Sequence, residues 1–235
     1  MLELTQYLQP NRYPGRGIVL GYSHDETYAV AAYFIMGRSE NSRNRVFIET
    51  ADGVATRPFD PAKVLDPSLI VYNAVCTHGD RVIVTNGDQT DTIYAHFERG
   101  LTFEDALYTR TYEPDAPNYT PRISGILSLN NHIPHAEMAI LRKMPDGAAC
   151  DYSFFPSVAC TPGQGHMLHT YLGDGDPLPS FSGTPVQVLL PQGDADACAE
   201  AIWNALDLEN RISLYVCYWN TQTGQKTVRI INRHQ

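Results

Sequence analysis

Residues 17–36 of this 235-residue chain decide its fold, and they read GIVLGYSHDETYAVAAYFIM. Two apolar runs, residues 17–21 and 28–36, flank the polar segment Ser23-His24-Asp25-Glu26. Such runs on either side of a polar turn predict an antiparallel hairpin. The second run carries no charged side chain, which is typical of a strand that is buried on both faces. The sequence therefore predicts a hairpin in the interior of the protein.

Outward from this hairpin, the pattern remains dominated by strands. Further β-rich runs are bounded by Asp, Asn, Gly or Pro, the residues that favour turns. These runs cover residues 45–50, 69–76, 81–85, 122–129, 137–143, 152–158 and 186–190, and a closing hairpin covers 211–219 and 227–232.

Three helices are also predicted. One spans residues 90–99 and ends at Gly100, since glycine commonly follows a helix C-terminus. Another begins after Thr102, whose hydroxyl can cap it, with Glu104 and Asp105 favourable in the first turn. The third covers residues 194–206, where apolar side chains recur at helical spacing. Strand hairpins at both ends with helices between them favour an α+β sandwich of two antiparallel sheets flanked by helices.

Length and charge limit the classes of function. No linker or repeat divides the chain, so a single domain over residues 1–235 is expected. The chain has 26 acidic and 17 basic residues, a formal net charge of −9. Such a balance argues against binding of nucleic acid or anionic lipid, which need a basic face. A small anionic ligand remains compatible, because a few arginines can form a local positive pocket.

Cysteine usage and hydropathy indicate a cytoplasmic protein. The five cysteines are odd in number and widely spaced without a Cys-x-x-Cys pair, so neither a disulfide framework nor a zinc ribbon is indicated. No apolar run approaches the roughly 20 residues of a membrane span. The N-terminus lacks the basic and apolar stretches of a secretion signal. We therefore expect a protein of the reducing cytosol.

Three segments carry more polar side chains than a turn requires. The first, residues 37–45, follows the apolar strand directly and reads GRSENSRNR. Its three arginines could converge on a phosphate or a carboxylate, since the guanidinium fork fits both anions. The alternative is a solvated loop with an internal pair between an arginine and Glu40.

The second segment joins the Tyr-Asn pair at residues 72–73 with residues 85–92, which read TNGDQTDT. Its Asn-Gly turn leads into a helix N-terminus, whose free N–H groups can bind an anion. The alternative is that Thr90 or Asp91 only caps the helix, and an acidic cap would itself repel phosphate.

The third segment, residues 112–122, reads YEPDAPNYTPR. Its prolines stiffen a long connection and would hold Glu113, Asn118 and Arg122 in a fixed relation at little further entropic cost. A rigid surface loop is the alternative.

Together these segments resemble the stand-alone IMP cyclohydrolases, the enzymes that complete inosinate synthesis without an attached formyltransferase domain. The similarity covers residues 13–130 and is faint in the C-terminal part. The matching pieces are Gly15-Arg16-Gly17, Ser42-Arg43-Asn44-Arg45, Tyr72-Asn73, Asn86-Gly87, Thr90-Asp91-Thr92-Ile93, Tyr112-Glu113 and Thr120-Pro121-Arg122-Ile123.

The resemblance implies a four-layer αββα sandwich like that of the Ntn hydrolases, with two sheets between helical layers. It implies a small nucleotide as the partner, and such sandwiches often form homo-oligomers. The chain shows no Cys, Ser or Thr as an exposed N-terminal nucleophile, which favours a cyclohydrolase over an amide hydrolase of the same fold.

The implied reaction closes the second ring of the purine nucleus. The carboxamide nitrogen of a formylated imidazole carboxamide ribotide attacks the formyl carbon, and water is lost. Attack needs a base, departure of the hydroxyl needs an acid, and the charged formyl oxygen needs a donor or cation. This chemistry demands neither a metal nor a redox cofactor, so none is expected.

The resemblance and this chemistry together assign the roles. Arg45 stabilises the oxyanion or anchors the carboxamide, Tyr72 transfers a proton near the formyl group, and Glu113 is the general base or orients it. Candidates for the 5′-phosphate are Arg38, Arg43 and Arg122. Candidates for the ribose and the base edges are Asn73, Asn86, Thr90, Asp91 and Asn118, and further substrate contacts without an assigned group are Ser39, Asn44 and Gly87.

Two other functions remain open. An amide hydrolase acting on a small carboxamide would show an exposed N-terminal nucleophile. A non-catalytic protein that binds purine nucleotides would show a substitution at Arg45, Tyr72 or Glu113, and all three are present.

Two histidine pairs suggest a metal at first sight. They are His132 with His135 and His166 with His169. A proline interrupts the first pair, and neither pair has the glutamate of a zinc-protease motif, so zinc is not expected.

Overall fold

The computed structural model describes residues 1–64, 67 and 69–234. Its strands are β1 (Leu2–Glu3), β2 (Arg16–Tyr22), β3 (Tyr28–Met36), β4 (Val46–Thr50), β5 (Gly53–Arg57), β6 (Tyr72–His78), β7 (Arg81–Thr85), β8 (Arg122–Asn130), β9 (Ile133–Lys143), β10 (Cys150–Ala159), β11 (Gln164–His169), β12 (Val186–Leu189), β13 (Arg211–Asn220) and β14 (Lys226–Asn232). Its helices are α1 (Leu4–Leu8), α2 (Glu40–Arg43), α3 (Gln89–Glu98), α4 (Phe103–Leu107) and α5 (Ala195–Ala205), with a 3-10 turn at Pro61–Lys63.

The strands form two seven-stranded sheets. The first has the order β1-β12-β11-β2-β3-β13-β14, and the second has the order β10-β9-β8-β7-β6-β5-β4. Within these sheets β1 and β12 pair in parallel, whereas the other neighbouring strands are antiparallel. The predicted α+β sandwich is confirmed, with one parallel pair at the edge of the first sheet that the sequence did not indicate.

Alternation along the predicted hairpin places its side chains on both faces of the first sheet. Ile18 and Tyr33 belong to the apolar cluster between the two sheets. Val19 and Phe34, the next residue in each strand, belong to a second cluster with α1 and α5. Successive residues of a strand point to opposite faces, so an apolar strand such as β3 can serve two cores at once.

A third apolar cluster covers the outer face of the second sheet. Ile93 of α3 and Phe103 of α4 pack there against Ile83 and Leu141. The order of the layers is therefore helix, sheet, sheet, helix. No helix among the described residues is long and apolar enough to span a membrane.

The predicted helix ends agree with the capping groups of the structure. The hydroxyl of Thr102 accepts from the N–H of Asp105, whose carboxylate accepts from the N–H of Thr102, which is a reciprocal capping box. Asp194 caps α5 by accepting from the N–H of Ala197 at 2.9 Å. The sequence did not predict β1, β5, β11, α1 or α2.

Strand pairing brings distant segments together at one end of the first sheet. Arg16, at the start of β2, pairs with Ile35, so the segment that follows β3 lies beside it. Gly17 pairs with His169, so the end of β11 lies on the other side. A Cβ on Gly17 would lie 2.2 Å from the ring of Phe34, which is why a side chain is not accommodated there. This end of the first sheet contributes to the site described next.

Candidate active site

A cavity of about 290 Å³ opens at this end of the sandwich. Five of its lining residues are candidates from the sequence, namely Arg38, Ser39, Arg45, Glu113 and Asn118. The other lining residues are Tyr13, Arg16, Asn41, Ser42, Leu69, Ile70, Asp115, Tyr171 and Leu178. Three guanidinium groups and two carboxylates thus face one small volume, an arrangement suited to an anionic and polar ligand.

The centre of the cavity is a buried pair of opposite charges. Nη2 of Arg16 lies 3.6 Å from Oε2 of Glu113, and their side chains are 11 % and 3 % exposed. Neither Nε of Arg16 nor Oε2 of Glu113 has a hydrogen-bond partner among the described residues. Two buried polar atoms without partners are costly, so they mark the place where a ligand would bind.

Burial and charge shift the pKa values of this pair. Burial raises the pKa of Glu113 above its ordinary value, and the attraction of Arg16, Arg122 and Arg45 offsets only part of that effect. Burial lowers the pKa of Arg16, but the Glu113 carboxylate and nearby phenols outweigh it and raise the pKa well above its ordinary value. The arginine therefore stays charged, while the glutamate is tuned toward proton exchange.

Arg45 supplies a second guanidinium, which is almost fully buried. Its Nε donates to the carbonyl of Ser42 at 2.8 Å, and its Nη2 donates to the carbonyl of Met36 at 3.3 Å. Burial, and then repulsion from Arg16, lower the pKa of Arg45. Two cations beside one carboxylate leave an excess of positive charge in the interior, which favours binding of a negative or developing negative charge.

Tyr72 lies behind the wall of the cavity. Its hydroxyl is 3.0 Å from the hydroxyl of Tyr33, and both phenols are buried. It is close enough to Arg16 and Arg45 to influence the pKa of each. Burial raises the pKa of Tyr33 well above its ordinary value, so the pair of phenols remains neutral.

Asn86, Gly87 and Arg122 support Glu113 from below. Nδ2 of Asn86 donates to Oε1 of Glu113 at 3.4 Å and to the carbonyl of Pro121 at 2.9 Å. A Cβ on Gly87 would lie 2.5 Å from Nη1 of Arg122 and 3.6 Å from Oε1 of Glu113, so the backbone passes between the two groups. Glycine at this turn allows the close approach.

Comparison with known proteins explains why these groups occur together. The family model described as IMP cyclohydrolase-like protein matches residues 13–224. The chain belongs to this family. The match extends well beyond residue 130, so the C-terminal part, where the motif similarity is faint, falls within the family as well.

Relatives from archaea support the assignment. A protein of Methanopyrus kandleri named IMP cyclohydrolase is 30 % identical over 181 residues, which are 72 % of this chain and 89 % of that protein. One of the same name from Halobacterium salinarum is 37 % identical over 120 residues, 49 % of this chain and 57 % of that protein. One from Methanothrix thermoacetophila is 34 % identical over 120 residues, with 58 % of its length covered. The chain thus spans little more than half the length of some relatives.

Some candidates that the family resemblance suggested lie outside the cavity. Nε of Arg43 donates to the carbonyl of Gly37 at 3.0 Å. Nδ2 of Asn44 donates to the carbonyl of Asp60 at 2.8 Å and ties two loops together. In both cases the polar group is bound within the protein.

The candidates on or near α3 also lie apart from the cavity. Nδ2 of Asn73 donates to Oδ1 of Asp91 at 2.8 Å in an exposed contact. The hydroxyl of Thr90 is buried 2.7 Å from that of Thr85. Nη1 of Arg122 contacts Oε1 of Gln89 and Oδ1 of Asp88, at 2.6 and 2.8 Å, so its charge is partly neutralised. The structure brings none of these five into the lining of the cavity.

Several lining residues were missed by reasoning from the sequence. Arg16 stands in the Gly15-Arg16-Gly17 triplet of the family, and a charged residue between two glycines beside an apolar strand was a usable signal. Tyr171 follows a strand that was not predicted, and nothing in its neighbourhood marked it. Tyr13 stacks on Tyr171 with ring centroids 5.9 Å apart, so the two phenols form one wall.

The histidine pairs do not form a metal site in the structure. Positions three apart on a strand point to opposite faces, and this applies to His166 and His169 of β11. His169 lies 2.8 Å from the hydroxyl of Tyr7, and burial lowers its pKa to about 4. No group of three or more His, Cys, Asp or Glu suited to a metal occurs within residues 1–64, 67 and 69–234.

Proposed function

We propose that this protein is an IMP cyclohydrolase, which converts 5-formamidoimidazole-4-carboxamide ribotide to IMP with loss of water. The observation that carries the proposal is the buried pair of Arg16 and Glu113 beside Arg45, with an unpartnered nitrogen and oxygen facing the same cavity. Membership of the family supports the reaction, and the excess of arginines supports an anionic substrate.

The proton balance of the reaction defines what the site must do. The carboxamide nitrogen forms a bond to the formyl carbon, and the formyl oxygen departs as water. That oxygen takes up two protons, while the amide nitrogen and the formamido nitrogen each lose one. Two removals from nitrogen and two deliveries to oxygen are needed, and general acid–base groups can perform all four.

Arg45 and Glu113 are assigned to the reacting atoms. The guanidinium of Arg45, held by two carbonyls, stabilises the formyl oxygen while that oxygen carries negative charge. Glu113 accepts a proton from nitrogen and returns it to the departing hydroxyl, and its raised pKa suits both steps. Arg16 holds the carboxylate in place between the two steps.

Tyr72 and the polar residues at the rim complete the assignment. The hydroxyl of Tyr72, oriented by Tyr33, donates and accepts a proton near the formyl group. Arg38, which is 37 % exposed and paired with Asp174, binds the 5′-phosphate at the mouth. Ser39 and Asn118 line the same cavity and contact the ribose. Both guanidinium and hydroxyl groups bind phosphorylated sugars through charge-assisted hydrogen bonds.

We further propose one cytoplasmic domain over residues 1–235 that works without a metal and can form homo-oligomers. All five cysteines are free thiols, which agrees with a reducing compartment. Acid–base groups and guanidiniums in the cavity account for each step of the reaction.

The decisive experiment supplies the formylated ribotide to purified protein after treatment with a chelator. Formation of IMP is followed by ultraviolet absorbance, with Glu113→Gln as the matched variant because the amide keeps the size of the carboxylate. Saturable turnover that falls in the variant supports the proposal. Absence of turnover with tight IMP binding would identify a nucleotide-binding protein instead, and absence of both would rule out the substrate class.

A further inference from the structure

Three side chains next to the Arg16–Glu113 pair form a continuous chain of hydrogen bonds. The hydroxyl of Tyr171 lies 2.5 Å from Oγ1 of Thr120. Oγ1 of Thr120 also bonds to Oδ2 of Asp115, and the N–H of Thr120 donates to Oδ1 of the same carboxylate at 2.6 Å. Tyr171 and Asp115 both line the cavity, whereas Thr120 is completely buried between them.

The direction of these hydrogen bonds follows from the donor and acceptor capacity of each group. An ionised carboxylate only accepts, so Thr120 must donate its hydroxyl proton to Asp115. A hydroxyl has one proton, so Thr120 accepts from the hydroxyl of Tyr171. The phenol oxygen of Tyr171 therefore keeps its free lone pairs for the cavity. In this state Tyr171 accepts a proton from a bound molecule and does not donate one.

The backbone holds this chain firmly. The N–H of Glu113 donates to the carbonyl of Thr120 at 2.9 Å, and the N–H of Asn118 donates to the carbonyl of Asp115 at 3.1 Å. The loop that carries Glu113 is thus closed on itself and fixes both ends of the Thr120–Asp115 contact. Tyr171 is clamped by its stacking on Tyr13. Such fixed donors and acceptors need little reorganisation during proton transfer.

The electrostatic environment keeps the phenol of Tyr171 protonated in the resting state. Burial raises the pKa of Tyr171 to about 12, although the charge of Arg16 acts in the opposite direction. A lone phenol of this kind would be a poor base at neutral pH. A phenol that passes its own proton on while it accepts another never becomes a phenolate, so its high pKa is no obstacle.

We propose that Tyr171, Thr120 and Asp115 form a proton relay that removes the amide proton of the substrate as the ring closes. This inference rests on the proposed cyclohydrolase function and adds a second proton acceptor to Glu113. The N–H bond of the carboxamide breaks and the nitrogen bonds to the formyl carbon. The π electrons of the formyl group move to its oxygen, which is stabilised by Arg45.

The protons move in one direction along the relay. The amide proton passes to the phenol oxygen of Tyr171, the phenol proton passes to Oγ1 of Thr120, and the hydroxyl proton passes to Oδ2 of Asp115. Both hydroxyls end neutral, and only Asp115 has gained a proton. Asp115 is partly exposed, so it releases this proton to water before the next cycle. Glu113 is then left to handle the formamido proton and the departing hydroxyl.

The test compares two substitutions at Thr120 that differ in one functional group. Thr120→Val keeps the shape but removes the hydroxyl and breaks the relay, so kcat should fall by about 10²-fold or more. Thr120→Ser keeps the hydroxyl and should retain activity within a few-fold of the unmodified protein. In both variants the Kd for IMP should stay within a few-fold, since the relay acts on a proton and not on binding.

Two further readouts separate a relay from a structural role. In mixtures of H₂O and D₂O, a chain of moving protons gives a curved dependence of kcat on the deuterium fraction, which Thr120→Val should abolish. Asp115→Asn keeps the size of the side chain but cannot accept the final proton, and we expect a similar loss of kcat. It also serves as the second variant if Thr120→Val melts at a much lower temperature.

The outcomes distinguish the relay from the function on which it rests. Full kcat in Thr120→Val or in Asp115→Asn, with normal turnover by the unmodified protein, would overturn the relay alone. Equal losses in Thr120→Val and Thr120→Ser would also overturn it, since they would show a packing role. No turnover by the unmodified protein would overturn the proposed function itself.

Discussion

Arg16 and Glu113 face each other across 3.6 Å with almost no access to water. Removal of one partner from such a pair leaves the other as an uncompensated charge in the interior. We expect Arg16→Met to lower the free energy of unfolding by about 3–5 kcal/mol, a typical cost of breaking a buried pair. Urea denaturation at pH 8 measures it. The double variant Arg16→Met, Glu113→Gln should recover part of the loss, and additive effects would show that the two groups are not coupled.

The raised pKa of Glu113 also predicts how this loss depends on pH. A carboxyl whose pKa is higher in the folded state stabilises the protein below its unfolded pKa, and this contribution is lost as pH rises through the folded pKa. Without Arg16 the folded pKa should rise further. The destabilisation by Arg16→Met should therefore shrink as the pH is lowered toward that of a protonated Glu113. A pH-independent difference would contradict the assignment.

The activity should show the same group. If Glu113 must be ionised to accept a proton, kcat/KM falls on the acid side, around a pKa above the roughly 4.3 of an ordinary glutamate. Residual activity of Glu113→Gln should lack this acid limb. Steady-state rates over a range of pH in buffers of constant ionic strength would decide it, and an unchanged acid limb in the variant would assign it to another group.

Tyr72→Phe tests the proton-transfer role of the phenol. We expect kcat to fall by about 10²-fold, at the lower end of losses for a general acid–base group, while the Kd for IMP changes little. Tyr33→Phe is the matched comparison, because Tyr33 contacts Tyr72 through its hydroxyl and should lower kcat less. Unchanged kcat in Tyr72→Phe would remove Tyr72 from the mechanism.

Two neighbouring arginines allow a direct test of the phosphate site. Arg38 lines the cavity, whereas the guanidinium of Arg43 binds the carbonyl of Gly37. Arg38→Gln should raise KM about tenfold or more with a smaller effect on kcat, since an exposed charge-assisted contact contributes about 1.5–3 kcal/mol. Arg43→Gln should leave KM near that of the unmodified protein. The reverse order would make Arg43 the phosphate ligand.

The position of Tyr171 depends on a glycine. Gly15 has φ +78°, and a Cβ there would lie 2.5 Å from the ring of Tyr171. Gly15→Ala should displace this ring and lower kcat as well as stability. Gly79→Ala is the matched control, since Gly79 has φ +57° with no atom within 4 Å of the added Cβ. It should show only the backbone cost of about 1–2 kcal/mol, and equal kcat in the two variants would separate Gly15 from the site.

Hydrophobic periodicity and turn chemistry were sufficient to predict most of the architecture. The apolar run of β3, the capping group Thr102 and the amphipathic pattern of α5 are local signals, and the structure confirms each of them. Elements without such signals were missed. The sequence QGHMLH of β11 contains few β-formers, and it becomes a strand because β2 and β12 bond to it on both sides.

The candidate site was harder to predict because its residues are held together by tertiary contacts. Arg45 and Glu113 stood in polar segments that were rich enough to be noticed. Tyr171 and Arg16 join them only through the pairing of β11 with β2, and no local pattern reports such a pairing. Conversely, polar richness at Asn73 and Asp91 reflects a surface contact between β6 and α3. Composition shows that polar groups are present but not which cavity they face.

The interleaved strand order of the first sheet has a consequence for how the cavity is acquired. β2 and β3 are flanked by β11 and β13, so strands from both ends of the chain must meet before Arg16 and Tyr171 share a wall. Contacts of such long sequence separation form late and slowly during folding. A partly folded molecule would therefore have no affinity for the nucleotide. Amide hydrogens around the pocket should exchange only through global opening, and a bound nucleotide should slow that exchange.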